Sequence, residues 1–505
     1  MSKTSLAKKD NFFAKMELLS LALTYSDVRL TTQYSETLPA GTILATKFSR
    51  NIDLKNPIVA SPMDKVTEHA MAIAMAKLGG LGIIHKGLDP QKQAAVVAKV
   101  RFHLNGMIAK PICIRPDVTV NEVLRLREDK GWDFHSFPVT DLNGKLVGII
   151  TGDDFDLCDD NNVTVDKIMS TNIIFADQKI SIADAYKKMI SCRKKILPLL
   201  DKDGLLKGIY ILSDVKRLVK GNQENFNLDK FGSLQVGAAI GVEDAEERMA
   251  LLSSKGINLV VIDTAHGDSK GVINTIKFCK KNYPEIDVVA GNISDGQSAK
   301  RLVKAGADGI KVGQGPGSIC TTRPIAGIGT PQVTAVYNCA KAIRGSGVPV
   351  CADGGIEYSG DIPIAIAAGA DNVMLGFMLA GTEEAPGDKF FRNGIPYKEY
   401  RGMGSLSAME DNKASRERYG QTGYDSDKFV PEGVETEIPY KGNVDKIIYQ
   451  LLGGLRSGMG YTGSKTIEDL KTKTSFIRIT NAGLKESHPH GIRITRDVPN
   501  YYSGR

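Results

Sequence analysis

Gly306-Ala307-Asp308-Gly309-Ile310-Lys311-Val312-Gly313 recurs 63 residues later as Gly369-Ala370-Asp371-Asn372-Val373-Met374-Leu375-Gly376. Each copy reads as a short apolar strand ending on a glycine. Outward from this pair, runs of the same kind recur at 57–63, 81–85, 235–240, 259–263, 287–290 and 348–352, and the copies themselves supply 309–312 and 372–379. These eight expected strands are rich in Val, Ile and Ala without polar alternation, as strands buried on both faces of a parallel sheet must be. Helical stretches at 68–77, 243–254, 295–304 and 331–344 fall between them, so the expected fold is an α/β (β/α)8 TIM barrel. Thr330 before Pro331 reads as an N-cap followed by proline at N1.

The first copy continues as Gln314-Gly315-Pro316-Gly317-Ser318-Ile319-Cys320-Thr321-Thr322-Arg323. Alternate glycines let backbone approach a ligand closely, and a cysteine on such a loop suits a nucleophile. The same residues equally suit a plain turn around a small buried thiol. Loops after the late strands of a barrel commonly bind phosphate through backbone N–H groups. Ser318 would add a hydroxyl there, and Asp353-Gly354-Gly355 a carboxylate suited to a ribose diol. Four strand ends converging on one face carry more weight than any single glycine.

At 505 residues the chain exceeds one ordinary compact domain. Its 65 Lys and Arg against 58 Asp and Glu leave a net charge of +7 with no dense basic run, which favours small anionic ligands over nucleic acid. Seven scattered cysteines without a C-x-x-C pair argue against a disulfide framework and a zinc site, and place the chain in a reducing cytoplasm. Lys8, Lys9 and the apolar residues from Phe12 imitate a signal peptide, but Lys15 and Glu17 interrupt the run and no small-residue cleavage site follows. No segment reaches membrane-spanning length.

The barrel rhythm breaks twice. Between 100 and 235 lies an insert with its own repeat, in which 138–155 and 198–215 match at a constant offset of 60. The match pairs Asp141 with Asp201, Gly144 with Gly204, Gly148 with Gly208 and Asp154 with Asp214. Each copy reads strand, glycine turn, strand, helix, after a helix opening near 118–120 or 180–182. The second break, about 381–441, contains Tyr400-Arg401-Gly402-Met403-Gly404-Ser405 and Arg416-Glu417-Arg418-Tyr419. A segment so long without periodicity is expected to be a lid over the catalytic face.

The duplicated insert resembles a tandem pair of cystathionine-β-synthase-type (CBS) modules, which bind adenine or guanine nucleotides. That likeness implies a regulatory nucleotide site at Thr151 and Asp154 and a second at Asp214. Ile211 stands where the second copy would need a hydroxyl, so one competent pocket is expected. The implied division is barrel at 1–102 and 223–505, with a mobile flap at about 381–441, and CBS modules at 103–222.

Together the 317–323 cysteine loop, Asp353-Gly354-Gly355, Tyr400-Arg401-Gly402-Met403-Gly404, Arg418-Tyr419 and the insert resemble the IMP dehydrogenase / GMP reductase family. The cysteine loop is common to both activities, and the Arg-Tyr pair separates the dehydrogenases. The resemblance implies oxidation of IMP to XMP with NAD⁺, the committed step of guanine nucleotide synthesis. Cys320 would form a covalent thioimidate, Arg418 with Tyr419 would activate water, and Thr322 with Glu432 would give a second proton route. IMP would be held by Ser61, Met63, Ser318, Asp353, Gly355, Gly376, Tyr400, Gly402, Met403, Gly404 and Glu432. NAD⁺ would meet Asp263, Thr264, Ala265, Asn292, Gly313 and Gly315, and no G-x-G-x-x-G points to a Rossmann domain. K⁺ would take carbonyls of Gly315, Gly317 and Cys320 with Glu486, Ser487 and His488 of a neighbouring subunit, in a homotetramer or octamer. Phe377 departs from the serine the family often has after Gly376, which removes one hydroxyl from the phosphate. The alternatives are a GMP reductase deaminating GMP with NADPH, and an inactive nucleotide-sensing scaffold.

Overall fold

The computed structural model describes residues 21–104, 107–108, 111–130, 134–220, 223–230, 232–495 and 498–501. The signal-like stretch around Lys8, Lys9 and Lys15 lies outside the described residues. Two compact units make up the chain, Met1–Arg101 with Asn225–Arg505, and Phe102–Glu224.

In the larger unit, eight parallel strands close into a barrel. In chain order they are Ile58–Ala60, Leu81–Ile84, Gly237–Ile240, Leu259–Asp263, Asp287–Ile293, Gly309–Val312, Val350–Asp353 and Asn372–Leu375, called barrel strands 1 to 8. Closure is made by Leu375 pairing with Ala60 on one side of strand 1 and Ala60 with Gly82 on the other. Every strand residue is buried except Asp353, the last of strand 7. That double burial is why the strands read as unbroken apolar runs. Val59, Leu81, Ala239, Val261, Val289 and Met374 meet in the interior, which is a packed core and not a pore.

Each helix stops and starts on a local signal. Asp295 caps Gly296–Ala305 by accepting from the N–H groups of Gln297 and Ser298, and Gly306 closes it in the left-handed conformation. Pro331, expected at N1, is instead the N-cap of Gln332–Ala342, with φ −50 and ψ 140. Its carbonyl already accepts from Ala335, which fixes it as the half-in flanking residue. A hairpin the strand pattern does not announce, Thr46–Ser49 with Ile52–Leu54, drives Phe48 into the same core. It is tied to the starts of strands 5 and 6 by Ser49 Oγ to Asp287 and Arg50 N to the Asp308 carbonyl.

The 381–441 segment, expected as a lid without readable periodicity, has regular structure of its own. It holds a three-stranded antiparallel sheet, Phe390–Arg392, Ile395–Arg401 and Glu435–Pro439, and two helices, Leu406–Asp411 and Lys413–Arg418. Six-residue helices and short, half-buried strands hold too few residues to leave a periodic trace.

In the smaller unit the two repeat copies form hairpins Phe137–Thr140 with Leu146–Ile150 and Ile196–Leu200 with Leu206–Ile211. Asp141 Oδ1 accepts from the N–H groups of Asn143 and Lys145, and Asp201 Oδ1 from those of Asp203 and Leu205. Gly144 and Gly204 take φ of 80 and 79 in the two turns. The turns also meet: Leu206 N–H donates to the Gly144 carbonyl at 3.2 Å and Leu146 N–H to that of Gly204 at 3.4 Å. Each copy buries its own core, with Phe137, Val139, Ile150 and Phe155 in one and Leu197, Leu199, Tyr210 and Val215 in the other.

Candidate active site

The loop after strand 6 is braced from within. Arg323 donates to the Gln314 carbonyl at 3.2 Å and to that of Thr330 at 2.9 Å, and Cys320 N–H closes a turn on Gly317 at 3.0 Å. Cys320 is partly exposed, its Sγ 3.2 Å from Thr322 Oγ1 and 3.7 Å from the Glu432 carbonyl. The 432–434 segment is laid alongside it as a strand. Thr321 N–H donates to the Glu432 carbonyl at 3.0 Å and Val434 N–H to that of Ile319 at 2.9 Å.

Beneath the loop is a buried ionic cluster the sequence reading did not name. Lys311, 1% exposed, donates to Asp263 Oδ1 at 2.8 Å, to Asp353 Oδ2 at 2.7 Å and to Asn292 Oδ1. Asn292 passes its amide N–H groups to the Gly313 carbonyl at 2.6 Å and to Asp353 Oδ2 at 2.9 Å. A lysine in a strand buried on both faces is the signal that could have found it, because a charge there requires partners. The cluster fixes two carboxylates at the ends of strands 4 and 7.

Arg418 ends its short helix with its guanidinium on the other oxygen of Asp263, and its Nε is buried with no partner among the described residues. Tyr419 follows, its ring covering Gly404. Burial raises its phenol above the ordinary value, with the charge of Arg418 pulling the other way. Tyr400 is likewise raised by burial, against a hydrogen bond from Ser318.

These groups border one cavity of 980 Å³. Its lining includes Cys320, Thr322, Arg418, Tyr419 and Glu432, together with Ser61, Met63, Ser318, Asp353, Gly355, Gly376, Tyr400, Gly402 and Met403. Asp263, Ala265, Asn292, Gly313, Gly315 and Gly317 line it too. Ser61 Oγ is buried with no partner among the described residues, and a Cβ on Gly376 would stand 3.0 Å from Met63 Sδ, 3.0 Å from Tyr400 Oη and 3.2 Å from that hydroxyl. Two expected residues stand back: Thr264 turns its hydroxyl to the Gly291 carbonyl at 2.8 Å, and Gly404 lies beneath Tyr419. Glu486, Ser487 and His488 are not in the lining. His488 reaches it indirectly, with Nδ1 3.0 Å from Tyr501 Oη, while Tyr501 stacks on Tyr358 in the cavity wall.

Phe377 sits 6.2 Å from the Tyr400 ring and carries Lys441 Nζ over its face at 4.5 Å. That ammonium donates to the Phe377 carbonyl at 2.6 Å, and burial lowers its pKa to about 8. In the smaller unit, Asp154 Oδ2 accepts from both the N–H and the hydroxyl of Thr151 at 2.7 Å, a capping box on Gly152–Asp156. Ile211 ends the second hairpin and Asp214 lies in the first turn of Leu212–Lys220. Among the described residues no helix is long and apolar enough to cross a membrane.

A family model described as IMP dehydrogenase / GMP reductase domain matches residues 22–490. Inosine-5'-monophosphate dehydrogenase from Aquifex aeolicus is 46% identical over 484 residues, 95% of this chain and 97% of that protein. The Bacillus subtilis protein of the same name is 44% identical over 483 residues, again 95% and 97%. Among solved structures, a GMP reductase variant from Trypanosoma brucei with guanosine 5'-monophosphate superposes with a TM-score of 0.84 at 40% identity, covering 95% of this chain and all of that one.

Proposed function

Because this chain belongs to the IMP dehydrogenase / GMP reductase family, we propose that its cavity oxidises IMP to XMP at Cys320 and hydrolyses the resulting adduct with Arg418. Dehydrogenase activity is carried by the curated relatives, which bear that name at 42–46% identity over nearly the whole chain. The observation that supports the two-step reading of this site is the delivery of Arg418 and Cys320, from separate elements, to one cavity.

Cys320 as thiolate attacks C2 of the hypoxanthine ring, forming the S–C2 bond. NAD⁺ supplies the hydride acceptor, and loss of hydride from C2 leaves a thioimidate on the cysteine. Thr322 Oγ1, 3.2 Å from the sulfur, can relay the thiol proton by accepting it while passing its own hydroxyl proton on. In the second step water adds to C2, the C–S bond breaks, and XMP leaves with the thiol restored. Arg418, with Tyr419 beside it, activates the water, and Thr322 with Glu432 forms the second proton route. Ser61, Ser318, Gly355 and Gly376 hold the phosphate, while Asp353, one oxygen taken by Lys311, offers the other to the ribose.

Two of the groups expected at NAD⁺, Asp263 and Asn292, are those fixed by Lys311, and Arg418 occupies the free side of Asp263. NAD⁺ and the arginine therefore use this carboxylate in turn. The carbonyls of Gly315, Gly317 and Cys320 form an all-oxygen set that suits K⁺, completed by Glu486, Ser487 and His488 of a neighbouring subunit in a homotetramer. Thr151 and Asp154 are the candidate ribose contacts of a regulatory adenine or guanine nucleotide in the CBS-like insert, and the setting is cytoplasmic.

Purified protein with IMP, NAD⁺ and K⁺ is expected to release NADH and XMP. No NADH with Cys320 reduced sinks the reading. The similarity to a solved GMP reductase favours one alternative, NADPH-dependent deamination of GMP, which consumption of NADPH with GMP and inertness toward IMP would establish instead.

A further inference from the structure

Glu417, the residue before Arg418, is seated in the barrel mouth with its side chain 9% exposed. Its Oε2 accepts from Lys86 Nζ at 3.1 Å. Its Oε1 accepts from the backbone N–H groups of Val242 at 2.8 Å and Glu243 at 2.9 Å. Lys86 lies just past barrel strand 2 and Val242 just past strand 3, so one carboxylate joins the flap to two strand ends. Space for it depends on Gly241, where a Cβ would stand 2.3 Å from Oε1.

The socket is rigid. Lys86 is 3% exposed, and its carbonyl accepts from Arg248 Nη2 at 3.0 Å. Arg248, 4% exposed, also donates to the Leu88 carbonyl at 3.0 Å and to Gln93 Oε1 at 2.8 Å. Burial lowers Lys86, opposed by the charge of Glu417. Burial works to raise Glu417, yet the charge of Lys86 and the two backbone N–H bonds hold it below the ordinary carboxylate range. The neighbouring Lys413–Glu243 pair at 3.4 Å is solvent-exposed, and such pairs contribute little.

We propose that Glu417 is a positioning residue for the hydrolytic step, its carboxylate seated on Lys86, Val242 and Glu243 so that Arg418 is held on Asp263. This rests on the reading of Arg418 as the water-activating group. Only the arrangement with Arg418 on Asp263 needs the socket. Hydride transfer uses Asp263 without the arginine, so the two steps respond differently to its loss.

The test is stopped-flow NADH absorbance with the full chain, IMP, NAD⁺ and K⁺. Glu417→Gln and Lys86→Met should each keep the amplitude and rate of the first-turnover burst. Steady-state turnover should fall about tenfold to a hundredfold, with the Cys320 adduct accumulating by intact mass. The double variant should be no slower than the worse single one, because both remove the same contact. Gly241→Ala, acting from the barrel side, should give the same split even if Lys86→Met folds poorly. Burst and turnover falling together, turnover unchanged, or losses that multiply in the double variant would each overturn the assignment. Unsubstituted protein that makes no NADH would remove the dehydrogenase reading itself, a separate failure.

Discussion

Arg418 is hydrogen-bonded to the Asp263 carboxylate, an oxygen away from the lysine that fixes that same carboxylate from below. On the proposed reading NAD⁺ meets the same Asp263, so the arginine serves the step that follows the cofactor's departure. Arg418→Ala should therefore keep the NADH burst, lower steady-state turnover on the order of a hundredfold or more, and bind NAD⁺ more tightly for want of a competitor. Stopped-flow and NAD⁺ titration read all three, and equal loss of burst and turnover would strip Arg418 of its role.

Cys320→Ala removes the bond-forming atom of both half-reactions, so neither burst nor turnover should survive, while IMP still binds. Calorimetric titration with IMP distinguishes this from misfolding. Residual burst would mean the cysteine is a turn residue after all.

Lys311→Met should destabilise the barrel by roughly 3–5 kcal/mol, since it leaves two carboxylates near the barrel core without their shared cation. Chemical denaturation followed by fluorescence measures it, and a loss near zero would show that the cluster is solvated.

Lys441 links stability to pH. Burial depresses its folded pKa to about 8 from an ordinary 10.5, so the unfolded chain binds more protons between those values. The cost of the buried ammonium is full below about pH 8 and relieved as pH rises toward 10.5. Relative to Lys441→Met, the unsubstituted protein should gain stability across that window by about 3 kcal/mol. Paired thermal melts at pH 7 to 10 test the sign, and an unsubstituted protein that loses stability relative to Lys441→Met as pH rises contradicts it.

Thr151→Ala should cost the insert about 1 kcal/mol through its capping box. If the hydroxyl also serves a ribose, ATP or GTP affinity should drop with it. Ile211→Ala should leave nucleotide affinity unchanged, and titration of both variants separates cap from contact.

The barrel was legible because strands such as Val260 to Ile262 are buried on both faces, a state that burial alone writes into composition. The 60-residue repeat was legible because Asp141 and Asp201 do the same work in matching turns. Lys311 escaped because its three partners come from three other strands, a convergence that closing the barrel creates. The hairpin carrying Phe48 and the short flap elements escaped for another reason: three to seven residues hold too little periodicity to read. Tyr501 meets Tyr358 only through the path of the C-terminal segment, which no local pattern encodes.

The strand-like pairing of 432–434 with the cysteine loop has a consequence for how such chains can vary. Glu432 is registered against Cys320 by backbone bonds made on the nucleophile's side, and nothing in that register counts residues from Tyr419. Between them Gln421 clasps the N–H and carbonyl of Val430, so chain added or removed at 422–429 is taken up beyond the clasp, with both anchored ends keeping their stations. Length at 422–429 can thus drift without moving Glu432 or Cys320 from their shared register.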